Sequence, residues 1–170
     1  MIDRRGIWLD VRWFELSDLP QIIQLHTSAF PYELCTERSI CEFADSDGGA
    51  CLVAVDPTND EIVATLCYID RGATVEITHC AVLDRLRRQH VGTRMMRQLT
   101  GSGRPRGVKF VTRAREHDVV AQLFLRSLGF HAVAPFQTVN FADGETAIPF
   151  ELEAQGDSAG RIRRRETVPV

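Results

Sequence analysis

The sequence predicts an α/β fold built as one domain around a single sheet with at least one crossover. Three observations predict it. The 170 residues suit one domain, and at that length about 70% of the unfolded chain's surface can be buried. Three strand-like runs follow one another in the middle of the chain. After them, helical and strand patterns alternate, which is the signature of crossover connections.

The elements follow in order. Residues 1–10, MIDRRGIWLD, read as an N-terminal arm, and they lack the apolar stretch of a signal peptide. The domain proper spans 11–153, and DVRWF from Asp10 is a short first strand. Ser17 offers an N-cap. Leu19, Ile22, Ile23, Leu25 and His26 then recur at helical spacing, with Pro20 tolerated near the start. Residues 36–43 form a second helix, with Thr36 and Ser39 as capping candidates. SDGG (46–49) is a turn.

ACLVAV (50–55), EIVATLCYI (61–69) and VEITHCAV (75–82) are strands separated by the turns DPTND and RGAT, and they predict an antiparallel meander. A helix spans about 91–100, GSGRPRG is a loop, and VKFVT (108–112) is a short apolar strand. A last helix starts near Asp118, places Val119, Ala121, Leu123, Phe124 and Leu128 on its apolar side, and stops at Gly129. Two final strands, 132–140 and 146–152, are joined by ADGE. From Ala154 the chain turns polar, and 154–170 reads as a basic disordered tail.

Composition narrows the partners. Hydrophobic residues make up 44% and charged residues 25%, with net charge -3 and a sequence pI of about 5.9. That balance offers no general attraction to nucleic acid or to an acidic membrane surface. Lys109 is the only lysine. Arginine forks suit phosphate and carboxylate, although an arginine bias also follows from genome composition. The arginines of RIRRRE read as part of a solvated tail, with nucleic-acid contact as the alternative, and no nucleic-acid partner is expected. The five cysteines (Cys35, Cys41, Cys51, Cys67, Cys80) include no CxxC and read as free thiols in a reducing compartment. No run approaches the ~20 apolar residues of a membrane span, so a cytoplasmic protein is expected. No histidine or cysteine pair has metal-ligand spacing.

One stretch points to a ligand. LRRQHVGTRMM (86–96) runs two arginines and a polar turn into Gly92 and then a helix. The first four amides of a helix have no internal partner and carry partial positive charge. Glycine admits close approach to the backbone, and arginine can clamp phosphate. This layout suits pyrophosphate, and a solvated helix start would share it. The mononucleotide pattern GxxxxGK[ST] and the dinucleotide pattern GxGxxG are both absent.

Three features together resemble the GNAT superfamily of acetyl-CoA-dependent N-acetyltransferases, over roughly 11–152. RRQHVG (87–92) is similar to its coenzyme A loop, Q/R-x-x-G-x-G/A. VEITHCAV matches its central fourth strand, and AQLFLRSLGF (121–130) its late helix ending in GF. The resemblance implies a mixed sheet of six or seven strands flanked by about four helices, with a splayed V between the fourth and fifth strands. It also implies acetyl-CoA held by the backbone of Cys80, Ala81 and Val82 and by the loop Arg87, Arg88, Gln89, His90, Val91, Gly92 and Thr93. Asp118 stands at a further coenzyme-side position. His90 occupies the place of the loop's first glycine.

Acetyl transfer needs a base for the amine. Glu76, six residues before Val82, matches the strand glutamate that serves as base in the histone-acetylating branch. A partly apolar cleft would raise its pKa; a solvated strand residue is the alternative. Strand alternation puts Glu76, Thr78 and Cys80 on one face and His79 on the other unless a bulge intervenes. His79 reads as a proton relay or a structural histidine, and Cys80 as a buried thiol rather than a nucleophile.

The sequence also resembles the ribosomal-protein alanine acetyltransferase subgroup. Its strand glutamate, helix asparagine and helix tyrosine read Arg113, Asp118 and Leu125 here. Leu125 cannot protonate a leaving thiolate, and Tyr68 or water is left for that task. Phe30, Tyr32 and Glu33 in FPYELCTERS (30–39) are candidates to line an acceptor pocket. The expected function is acetyl transfer from acetyl-CoA to a primary amine of a protein N-terminus, peptide or small molecule, with a homodimer possible. The alternatives are an acyl-CoA sensor without turnover and a plain protein-binding domain.

Overall fold

The computed structural model describes residues 9–33, 35–101, 107–134 and 139–154. Most of the expected arm, the tail from 155 and most of the GSGRPRG loop lie outside the described residues. Leu9 and Ala154, at the two margins, are already buried in the core.

The strands are β1 (Asp10–Trp13), β2 (Gly49–Asp56), β3 (Glu61–Asp70), β4 (Thr74–Val82), β5 (Lys109–Arg115), β6 (His131–Ala132), β7 (Val139–Asn140) and β8 (Thr146–Glu153). The helices are α1 (Leu19–Ala29), α2 (Glu37–Asp45), α3 (Val91–Gly101) and α4 (Val119–Ser127). One sheet runs β1-β2-β3-β4-β5-β8-β6, with β7 also on β8. β2, β3 and β4 are the expected antiparallel meander, and β1 extends it by pairing with β2. The α3 crossover makes β5 parallel to β4. The strand expected over 132–140 is two short segments, β6 and β7, both laid on β8.

Each sheet face has its own core. On one face Met95, Met96 and Leu99 of α3 and Leu125 of α4 pack on Leu52, Leu66, Val75, Ile77, Phe110 and Phe150. On the other, Leu19, Ile22 and Leu25 of α1 and Ile40 of α2 cover Val53, Val55, Ile62 and Ala81. These apolar pairs are what bind the layers together.

Two local readings change. Ser17 does not cap α1; it sits in a 3-10 turn, Leu16–Asp18, and Asp18 occupies the cap position. Asp18 is buried and accepts from Arg12 Nη1 at 2.6 Å, Arg12 Nη2 at 2.8 Å and the Glu15 amide at 2.8 Å. A fork from β1 therefore fixes where α1 begins, which no local capping signal could reveal. In α4 the apolar face is rotated: Val119 and Leu123 are 57% and 59% exposed, while Leu125 is buried. The α2 cap is as expected, since Thr36 and Ser39 form a reciprocal box. Gly129, at φ 92, ends α4 in the left-handed conformation. No helix among the described residues is long and apolar enough to cross a membrane.

Burial works against the charged form of Asp18, but its bonds to Arg12 and the Glu15 amide prevail and hold the carboxyl below its usual range. Its stabilising effect is therefore present above the unfolded carboxyl's value near 4 and is lost as pH falls through the folded value. Asp18→Asn should cost about 1–3 kcal/mol at neutral pH by urea unfolding. That deficit should shrink in acid below about pH 4.

Candidate active site

The central feature is the parting of β4 and β5. They pair at only three positions, Thr74↔Lys109, Val75↔Phe110 and Glu76↔Val111. One more rung comes from a side chain, as Thr112 Oγ1 donates to the Ile77 carbonyl at 2.9 Å. Beyond it β5 stays with β8, pairing through Arg115↔Ala147. Among the described residues, the edge of β4 that faces β5 therefore has no strand partner toward Cys80, Ala81 and Val82, and this is the splayed V that the sequence led us to expect.

The loop after β4 builds the mouth of this gap. It turns through a 3-10 segment, Asp84–Leu86, anchored by buried Leu86. Arg88 (φ 62) and His90 (φ 64) are both left-handed. His90 thus adopts the backbone that glycine would favour, at a cost on the order of 1 kcal/mol, and the turn keeps its shape. α3 begins at Val91. Among the described residues, no acceptor lies within hydrogen-bonding distance of the amides of Val91, Gly92 and Thr93, so an uncompensated helix N-terminus opens here.

The side chains of the loop are less open. Arg87 turns back, with Nε 3.3 Å from the Val82 carbonyl and Nη2 3.0 Å from Asp84 Oδ1. Gln89 Nε2 donates to the Arg85 carbonyl at 2.8 Å, while its buried Oε1 has no partner among the described residues. Gly92 is buried in the first turn of α3, and a β-carbon there would meet Val82 Cγ2 and Phe124 Cζ at 3.4 Å. A β-carbon would thus fit in ordinary contact, with no room for a larger side chain on that side. Asp118 caps α4, accepting from the Ala121 amide at 2.9 Å.

Glu76 and His79 share a wall, contrary to simple alternation. The register against β3 shifts between Cys67↔His79 and Tyr68↔Ile77, leaving Thr78 as an extra residue. Val75 and Ile77 before the bulge, and Cys80 and Val82 after it, all face the α3 core. Glu76 and His79 consequently face the α1 side together. Nor is Glu76 in apolar surroundings: Arg113 Nη2 donates to its Oε1 at 2.9 Å. The arginine that replaces the subgroup's glutamate is therefore the partner of the β4 carboxylate.

On this wall lies a cleft of about 190 Å³ lined by His26, Phe30, Glu33, Cys35, Ser39, Ile40, Phe43, Cys67 and His79. His79 Nε2 lies 2.8 Å from Glu33 Oε2. The His79 ring stacks on His26 (5.4 Å between centroids, 29° between planes) and meets the edge of Phe30 at 5.1 Å. His26 is 5% exposed, and its Nε2 lies 2.8 Å from Thr65 Oγ1. The bond to His79 holds the Glu33 carboxyl below its usual range against the effect of burial, with help from the charge of Arg115.

Phe30 and Glu33 line the cleft as expected. Tyr32 instead covers Arg115, whose guanidinium lies 5.1 Å from the Tyr32 ring and 4.4 Å from the Phe141 ring. Arg115 also holds Asp143 and Glu145, each at 2.6 Å, so it links the loop after α1 to the hairpin before β8. Sequence reading missed the roles of His26 and Arg115. The only signals were a histidine on the apolar side of α1 and an arginine just beyond the strand read over 108–112.

The remaining candidates fall outside this wall. Leu125 is core, and Tyr68 is buried against Trp13 on the α3 side of the sheet. Burial pushes the Cys80 thiol up to about 12, which fits a structural thiol. All five cysteines are free. The Cys51 and Cys67 sulfurs are 3.3 Å apart, and this contact together with burial holds the Cys67 thiol well above its ordinary value.

A sequence model of the acetyltransferase (GNAT) family matches residues 19–130. Solved structures share the fold at low identity. Ard1 from Thermoplasma volcanium is 17% identical with TM-score 0.73, covering 86% of this chain and 97% of its own. The ribosomal-protein-S18-alanine N-acetyltransferase from Escherichia coli is 16% identical with TM-score 0.71, covering 95% and 100%. Arabidopsis thaliana NAA60, solved with acetyl-CoA, is 14% identical with TM-score 0.71, covering 88% and 100%. No curated protein sequence matches this one.

Burial, aided by charge on His79 and opposed by Glu33, lowers the His26 imidazole from 6.5 to about 4. The folded protein therefore keeps His26 neutral where the unfolded chain takes up a proton. The stability this gives is complete above pH 6.5 and is lost as pH falls toward 4, on the order of 3 kcal/mol. Urea unfolding at pH 7 and pH 4.5 should show that drop, and His26→Gln should remove most of it.

Proposed function

The chain belongs to the GNAT acetyltransferase family, whose cosubstrate is acetyl-CoA, and we propose that it transfers the acetyl group to a primary amine by direct attack. The observation that carries this reading is the open corner at the head of α3, where among the described residues three consecutive amides lack partners beside a parted strand pair. A diphosphate fits such a corner because helix-terminal amides favour anions by about 0.3–1 kcal/mol per charge. The amides of Val91, Gly92 and Thr93 would hold the pyrophosphate with the backbone of Gln89 and His90, and Arg88 would add charge at the rim. Arg87 would have to leave Asp84 to join them. The edge of β4 at Cys80, Ala81 and Val82, which among the described residues has no strand partner on the β5 side, would bind the pantetheine arm and polarise the thioester carbonyl once Arg87 releases the Val82 carbonyl. Asp118 would contribute by fixing α4 against this corner.

When bound, acetyl-CoA supplies an acetyl group activated as a thioester. The chain's own task is to bring in a neutral amine and receive its proton. Two groups on the α1 wall can do this, Glu76 through its second carboxylate oxygen and His79 through its imidazole. Leu125 offers no acid, and a thiolate with pKa near 8–9 leaves without one. The cleft between α1, α2 and β3 is the natural acceptor pocket. That Ard1, NAA60 and the S18-alanine enzyme share the fold supports an N-terminal amine as one class of acceptor to test, along with peptides and small amines.

A second reading, coenzyme binding without turnover, is favoured by the Glu76–Arg113 pair and by Leu125. Thiol release against a panel of amines separates the two.

Acetyl-CoA at a hundred times its dissociation constant should stabilise the fold by about 2.7 kcal/mol. Gly92→Val, whose γ-methyls extend past a β-carbon already in contact with Val82 and Phe124, should abolish most of that stabilisation. No rise in melting temperature of the unaltered protein at millimolar acetyl-CoA would contradict the reading.

A further inference from the structure

We propose that His79, oriented by Glu33, is the group that takes the proton from the attacking amine. This rests on the acetyl-transfer reading above. Three features of the structure support it.

First, the Thr78 bulge turns His79 into the acceptor cleft while the next residue, Cys80, begins the stretch of β4 assigned to the thioester. Glu76 lies at the closed end of the V, paired with Val111. It is four residues, or roughly 13 Å of extended strand, before Cys80, and its Oε1 is engaged by Arg113.

Second, the imidazole is set for the task. With Nε2–H donated to Glu33 Oε2 at 2.8 Å, Nδ1 keeps its lone pair, and among the described residues Nδ1 has no hydrogen-bond partner. A carboxylate on one ring nitrogen fixes the tautomer and stabilises the imidazolium that forms.

Third, the surrounding groups do not compete for the proton. From α1, His26 stacks on His79 and stays neutral down to about pH 4. From β3, the Cys67 thiol stays protonated, as does Cys35 beside the cleft, raised by burial. α2 contributes Ser39, which is uncharged, and Arg115 of β5 acts on Glu33. Among the described residues of β4, Glu76 is the carboxylate that shares this wall.

In the step itself, the amine's lone pair forms the new bond to the acetyl carbonyl carbon. The carbon–sulfur bond breaks, and its electron pair leaves with sulfur. One amine proton passes to His79 Nδ1, and from there to the departing thiolate or to water.

The test compares His79→Gln, Glu76→Gln and Glu33→Gln with the unaltered protein. It uses thiol release against an amine panel, melting temperature with and without acetyl-CoA, and NMR titration of the histidine side chains. His79→Gln should lower kcat about a hundredfold or more while the melting-temperature rise with acetyl-CoA is kept. Glu76→Gln should lose less than about tenfold. Glu33→Gln should move the acidic limb of the rate profile to lower pH, and the NMR titration of His79 should move with it.

His79→Gln activity within about threefold of the unaltered protein, or a larger loss in Glu76→Gln, overturns the assignment and leaves acetyl transfer standing. If His79→Gln does not fold, an unchanged pH profile in Glu33→Gln overturns it instead. If the unaltered protein binds acetyl-CoA but acetylates no amine, the transfer reading falls and takes this one with it.

Discussion

β5 pairs with β8 at seven positions and with β4 at only three. β4, on its other edge, is bonded to β3 along nearly its whole length. The two strands are thus committed to opposite neighbours, and the sheet must open where their directions part. Main-chain groups on an opened edge are costly to bury unpaired, so the gap is stable only if water or a ligand fills it. The helix that follows β4 starts at the rim of this opening, and its first amides face the same way. The opening, which would suit an extended, anionic, amide-bearing molecule, follows from strand pairing more than from any single side chain.

The bulge at Thr78 completes the arrangement. Without it, Glu76 and His79 would lie on opposite sides of the sheet, and the α1 cleft would have no imidazole. With it, the core residues of β4 keep to the α3 side both before and after the shift. The polar residues gather on the other side, where Phe30, Glu33 and His26 arrive from α1 and the loop that follows it. On the proposed reading, the coenzyme would lie along the free edge of β4 and the proton would be taken on its α1 wall. Arg115, held between Tyr32 and Phe141, ties that loop to the far hairpin and so helps fix Glu33.

Local signals in the sequence were enough for the elements, because periodicity and caps are local properties. The meander, the start of α3, the Thr36–Ser39 box and the Gly129 stop all follow from neighbouring residues. The open helix start at Gly92 was legible for the same reason. What could not be read depends on distant partners. Asp18 replaces Ser17 at the head of α1 because Arg12, on another strand, grips it. The parity of β4 changes at a bulge that no residue type announces. Glu33 reaches His79 across 46 positions, and Arg113 reaches Glu76 across 37. The rotation of α4 that buries Leu125 and exposes Leu123 reflects which neighbours it meets, which its own spacing leaves open.

The most direct measurement is a titration with acetyl-CoA followed by amide NMR. The account predicts saturable shifts centred on the amides of Val91, Gly92 and Thr93, with a second group at Cys80, Ala81 and Val82. Shifts confined to other surfaces, or none at millimolar acetyl-CoA, would contradict it.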